Sequence, residues 1–99
     1  MERPKVVLLV RFKTPLSEPE ILKVVKERAD EFRALGGLLQ KFYVRDKATG
    51  EYGGLYLWQS EEALDAYRAS ALRASIGAAY KTEGEPRIEV MTVLETLRD

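Results

Sequence analysis

Apolar and polar residues alternate at the start of the chain. In "KVVLLVRFK", introduced by Pro4, the even positions Val6, Leu8, Val10 and Phe12 form an unbroken apolar face, while Arg11 and Lys13 emerge on the other side. A period of two over this length predicts a strand. The period then changes. "TPLSEPE" carries a helix start, with Ser17 as N-cap, Glu20 three residues on completing a capping box, and Pro19 in the first turn. Ile21, Val25, Ala29 and Phe32 follow at helical spacing until Gly36-Gly37 ends the helix.

"LLQKFYVRD" and "EYGGLYLWQ" predict strands two and three, joined by Lys47-Ala48-Thr49-Gly50, a hairpin loop with Gly in the left-handed final position. Ser60, with Glu61 and Glu62 behind it, caps and charges a second helix whose inward stripe is Leu64, Tyr67 and Ala71. Helical character decays around Ser75-Ile76-Gly77, and Gly84-Glu85-Pro86 turns the chain into a last strand, "RIEVMTVLETL". The order βαββαβ predicts an α+β, ferredoxin-like fold: one four-stranded antiparallel sheet with the helices on one face. With no linker, repeat or low-complexity tract, residues 1–99 read as a single domain.

Closing the hairpin on Asp46 and Glu51 sets Val44 opposite Gly53, Tyr43 opposite Gly54, Phe42 opposite Leu55 and Leu39 opposite Trp58. One face then carries Leu38, Phe42, Val44, Leu55 and Leu57; the other carries Lys41, Tyr43, Arg45, Tyr52, Tyr56 and Trp58. The aliphatic set is expected beneath the helices and the aromatic, cationic set on the outer face, beside Val7, Leu9, Met91 and Val93. Gly54 is then expected to lie under the Tyr43 ring, and Gly53 to leave a hollow beneath the helices near Tyr67. A lone domain of this kind needs only one apolar sheet face. Apolar residues on both predict a symmetric homodimer, sheet packed against sheet. A chain of this size hides only about two-thirds of its unfolded surface, so a second subunit would also enlarge a thin core.

Composition narrows the chemistry. Sixteen basic and sixteen acidic residues cancel and are interspersed, which removes the electrostatic footprint of a nucleic-acid or anionic-membrane binder. The chain has neither Cys nor His, so it has no thiol nucleophile, disulfide, imidazole base, or imidazole or thiolate ligand. Any metal site would have to be all oxygen, and none is expected. The longest apolar run, Val6 to Val10, is too short to span a bilayer and no h-region follows Met1; a cytoplasmic location is expected. Gly53-Gly54 lacks the spacing of a phosphate loop, no Ser sits in a nucleophile elbow, and no carboxylate pair has glycosidase-like placement. Nucleotide-binding, kinase and hydrolase classes are therefore dropped.

The stretch from Tyr43 to Tyr67 resembles the dimeric α/β-barrel superfamily, and within it the YdhR-like putative monooxygenase family. The residues that carry the resemblance are Gly53, Gly54, Leu55, Tyr56, Leu57, Trp58, Ser60, Ala63 and Tyr67, a GG-aliphatic-Tyr-Leu-aromatic strand running into a capped helix. The βαββαβ order extends it over nearly the whole chain. The resemblance implies a homodimer with a pocket in each subunit between sheet and helices. Relatives in the wider superfamily include cofactor-free monooxygenases of quinol-like or anthrone-like aromatics, haem-degrading enzymes, haem-dependent peroxidases and stress-related proteins. The haem-degrading relatives need a helix-borne His, a Trp on the same helix and an Asn on the first strand. Gly77, Tyr67 and Val10 stand at those places here, so no haem is expected.

The resemblance implies a cofactor-independent monooxygenase acting on a small aromatic or quinol-like substrate. Such chemistry asks the protein to deprotonate and orient an electron-rich substrate and to exclude water. Tyr67 and Trp58 are the candidate catalytic residues: Tyr67 gives an apolar pocket one polar handle. Gly53, Tyr56, Phe42, Tyr43, Arg45 and Arg11 are candidate substrate contacts, the two arginines through charge-assisted hydrogen bonds. Structural roles stand beside each of these. Tyr67 also fits as a core tyrosine, Tyr56 and Trp58 as interface rings, and the arginines as ion-pair partners. The alternative function is a non-enzymatic dimeric module, binding a small apolar ligand or stress-related.

Overall fold

The computed structural model describes residues 2–98. Its elements are β1 (Val6–Lys13), α1 (Glu18–Arg33), β2 (Leu38–Arg45), β3 (Tyr52–Trp58), α2 (Glu61–Arg68), two short helices α3 (Ala71–Ala74) and α4 (Ile76–Ala79), and β4 (Glu83–Thr92). The four strands form one antiparallel sheet in the order β2-β3-β1-β4, the ferredoxin-like arrangement that the sequence predicts. The capping box at Ser17 and Glu20 is present. Gly50 closes the β2–β3 hairpin at φ +77°, a conformation that disfavours a residue with a Cβ.

Two elements depart from their predicted spans. The second helix breaks after Arg68: Ser70 caps a new turn by accepting from the Arg73 amide, so Ala71 faces out, and Ile76 and Tyr80 take the buried positions instead. The last strand begins at Glu83 and ends at Thr92 rather than running to Leu97. Gly84-Glu85-Pro86 is not a turn before it but lies inside it. An irregularity opposite Arg11 to Lys13 absorbs these residues. β4 is an edge strand, where a proline lacking its N–H costs no ladder bond to a further neighbour.

The hairpin register holds from Arg45↔Tyr52 to Gln40↔Leu57. A bulge at Leu39 then sets Leu38, not Leu39, against Trp58. The assignment of faces is the reverse of expectation. β1 pairs with β3 through Val6↔Trp58, Leu8↔Tyr56 and Val10↔Gly54, and paired residues share a face. Tyr56 and Trp58 therefore join Val6, Leu8 and Val10 beneath the helices, in one cluster with Ile21, Phe32, Leu64, Tyr67, Ile76 and Tyr80. Lys41 and Tyr43 follow them through the hairpin pairing. Of the aliphatic set, Phe42, 48% exposed, occupies the outer face with Val44, Leu55 and Leu57, while Leu38, paired with Trp58 beyond the bulge, packs against the inner cluster. The helix-facing glycine is Gly54, not Gly53.

Candidate functional site

The inner face of β2 and β3 does not close against the helices. A cavity of about 290 Å³ lies there, floored by Gly53, Gly54, Lys41, Tyr43, Arg45, Tyr52 and Tyr56 and covered by Glu18, Ile21 and Leu22 of α1 with Ile76 and Tyr80. Its size is close to the lower end of small-molecule sites, about 300 Å³, and it fits a small ring system.

Gly54 makes the floor possible. A Cβ built on it would lie 2.9 Å from Cε1 of Tyr56 and 3.2 Å from Cε of Lys41. The absent side chain is the space in which that ring and that lysine stem lie. Gly53 answers to a different constraint: a Cβ there would sit 2.0 Å from the carbonyl oxygen of Val10, so it keeps β3 close to β1.

Four of the candidate substrate contacts, Gly53, Tyr56, Tyr43 and Arg45, line this cavity. Arg45 is held by Glu18 at 2.8 Å, and the Tyr52 hydroxyl reaches the same carboxylate at 3.5 Å. The other two are elsewhere. Phe42 is on the outer face, and Arg11 lies there too, in an ion cluster with Glu89 at 2.5 Å and Asp46 at 3.6 Å. Tyr67 and Trp58 stand one layer behind the cavity. Trp58 has 0% exposure and stacks on Tyr56 at 6.1 Å with planes 7° apart. The Tyr67 hydroxyl shares a 3.2 Å hydrogen bond with that of Tyr56, so Tyr67 touches the cavity only through Tyr56. Burial pushes both phenols above their ordinary range, keeping them neutral donors.

Lys41 was not among the candidates. Its Nζ lies 3.5 Å from the centre of the Phe32 ring and 4.4 Å from those of Tyr43 and Tyr56. Among the described residues it makes no ion pair and its amine no hydrogen bond. Burial, and then repulsion from Arg28, lowers it from 10.5 to about 7. The ring faces oppose this, since they favour the ammonium by about 2 kcal/mol or somewhat more. Desolvation is the larger effect, so the direction stays downward. The signal in the sequence was the strand pairing: once Tyr56 shares a face with Leu8, Lys41 opposite Tyr56 must share it too.

The residues present do not fit a haem. The chain has no His or Cys, the usual haem ligands, and burial pushes Tyr80 up to about 12 and Tyr43 upward as well, away from the tyrosinate that could replace them. Among the described residues no group of three or more Asp and Glu could hold a metal ion, and no helix is long and apolar enough to cross a membrane.

The lysine makes stability depend on pH. Between pH 7 and 10.5 the unfolded chain still holds the Lys41 proton that the folded protein has lost, so raising pH in this window favours the folded state. Relative to Lys41→Met, the wild type should gain about 1 kcal/mol per pH unit across the window, read by urea denaturation of both proteins at several pH values. A difference that stays flat would mean that Lys41 titrates normally.

Comparison with known proteins agrees with this architecture. The structure superimposes on SnoaB, described as a cofactor-independent oxygenase from Streptomyces nogalater, with a TM-score of 0.73 and 17% identity, covering 97% of this chain and 99% of that one. A putative antibiotic biosynthesis monooxygenase from Caulobacter crescentus CB15 gives 0.74 with 26% identity over 94% and 92% of the two chains. The heme-degrader MhuD from Mycobacterium tuberculosis, described with two hemes bound in its active site, gives 0.75 with 24% identity over 94% and 99%. No curated protein sequence matches significantly. The family model described as putative mono-oxygenase ydhR matches residues 7–90, and the chain accordingly belongs to that family.

Proposed function

We propose that this chain is a cofactor-independent monooxygenase acting on a small aromatic or quinol-like compound bound between sheet and helices. The observation that carries this reading is the cavity itself: tyrosine rings wall it, the backbone of Gly54 floors it, and Lys41, an amine without a carboxylate partner, is among the residues that line it. Family membership and the likeness to a cofactor-independent oxygenase support it. In such a reaction a substrate methylene beside an aromatic hydroxyl takes one atom of O₂ as a carbonyl, and the other leaves with the two hydrogens as water. All four electrons come from the substrate. The rings exclude water and orient the substrate plane, which is what this chemistry asks of a protein. Tyr56, Tyr43, Arg45 and Gly53 are the proposed substrate contacts. Tyr67 and Trp58 act by holding Tyr56.

Purified protein should consume O₂ with members of an anthrone and quinol panel faster than the spontaneous reaction, and label from ¹⁸O₂ should enter the product. Tyr67→Phe, which loosens Tyr56 without entering the cavity, should lower the rate by about tenfold or less, well below the effect expected of a proton-transferring group. No turnover across the panel, with ligand binding retained, would leave a binding module in place of an enzyme.

The same reading includes a homodimer. The outer sheet face presents Val7, Leu9, Phe42, Val44, Leu55, Leu57 and Met91, and Phe42, Val44 and Met91 are each more than a third exposed. A second copy offers the same apolar surface in self-complementary form. The wild type should sediment as a dimer at micromolar concentration and Phe42→Asp as a folded monomer; a monomeric wild type would remove the dimer.

A further inference from the structure

We infer that Lys41 is the proton acceptor of this site, so that the substrate class is one with an acidic hydroxyl, a phenol or the enol of an aryl ketone, delivered to Nζ beneath α1. This deepens the monooxygenase reading and rests on it for the step with O₂, but the proton transfer can be measured without turnover.

Geometry carries the inference. Lys41 is the cavity-lining residue whose nitrogen three rings surround and no carboxylate neutralises. The other charged groups at the cavity, Glu18 and Arg45, neutralise each other. The groups that face Lys41 from the packed elements are Arg28 and Phe32 of α1, Tyr43 of β2 and Tyr56 of β3. None of them is an anion. A phenol entering the cavity therefore meets an amine whose protonation is opposed by dry surroundings and a nearby guanidinium, until a phenolate beside it supplies the missing negative charge. Ionising the ligand and protonating the lysine are then one event, which creates an ion pair where neither charge alone is favoured. The depressed basicity of Lys41 raises the neutral share of the amine near pH 7 above that of a free lysine, as a general base requires.

In the step itself the substrate O–H bond breaks, an N–H bond forms on Nζ, and the electron pair stays on the substrate oxygen. The anion passes one electron to O₂, and the resulting superoxide and radical combine at carbon. The ammonium returns its proton to the peroxide so formed. Loss of the remaining C–H proton with hydroxide, as water, leaves the carbonyl.

The test uses 4-cyanophenol, a weaker acid than the Lys41 ammonium, at a pH between the two ionisations; its anion absorbs at longer wavelength than its neutral form. Bound to the wild type, it should show the phenolate band at a pH where the free probe is mostly neutral, with its apparent ionisation constant raised about tenfold or more. Lys41→Met should bind it as the neutral phenol, with the band lost. Lys41→Arg, a permanent cation, should hold the phenolate but release its proton to solvent, detectable with a pH indicator in weak buffer, whereas the wild type above pH 7 releases none. Where turnover is measurable, Lys41→Met should lower kcat/KM by about 10²–10⁴ and remove the acid limb of its pH profile. An unshifted spectrum on the wild type, an identical band in Lys41→Met, or no binding of the probe would overturn the assignment. A shifted band without O₂ uptake would uphold Lys41 as the acceptor and sink the monooxygenase reading instead.

Discussion

The antiparallel pairing of β1 with β3 governs the rest of the molecule. Val6↔Trp58, Leu8↔Tyr56 and Val10↔Gly54 bind the most apolar strand of the chain to its most aromatic one. Because paired residues point to the same side, the burial of Val6, Leu8 and Val10 beneath the helices takes Trp58, Tyr56 and Gly54 there too. Slipping this pairing by one residue would put Leu55 and Leu57 under the helices and expose both rings. Gly53 defends the register at close range, since any side chain would meet the Val10 carbonyl.

From this pairing follows a layered site. Trp58 is fully buried and Tyr67 nearly so, and with Phe32 they form a ring cluster that fixes Tyr56 through a stack and a hydroxyl–hydroxyl bond. Tyr56 in turn bounds the cavity, and across the hairpin it pairs with Lys41. Gly54 leaves the volume in which the lysine stem lies. A lysine at that position is costly for folding below neutral pH, because the ammonium has lost much of its hydration and gained no counter-charge. Proteins keep such groups chiefly where they do chemistry.

Much of the fold was legible in the sequence. The period-two run of β1, the box at Ser17 and Glu20, the Gly50 hairpin and the cap at Ser60 are local signals, and each of those features forms as its residues specify. The hairpin register was legible too, apart from the bulge at Leu39, which no residue type announces. What local pattern could not decide was which face of the hairpin turns inward. Both faces of β2 and β3 are rich in large apolar or aromatic groups, so hydropathy favours the aliphatic side, whereas the decision belongs to a long-range partner, β1. Lys41 escaped notice for the same reason. It reads as a surface cation until the pairing places it among rings. Similarly, Gly53, Tyr56, Tyr43 and Arg45 of the candidate set line the cavity, while Arg11 and Phe42 fell on the other side of the sheet.

The account turns on the state of one amine. Nuclear magnetic resonance of protein carrying ¹³C-labelled lysine follows each Cε through its titration, and comparison with Lys41→Arg assigns the signal of Lys41. The midpoint of Lys41 in the folded protein should lie well below the ordinary 10.5, and a midpoint near 10.5 would contradict the assignment.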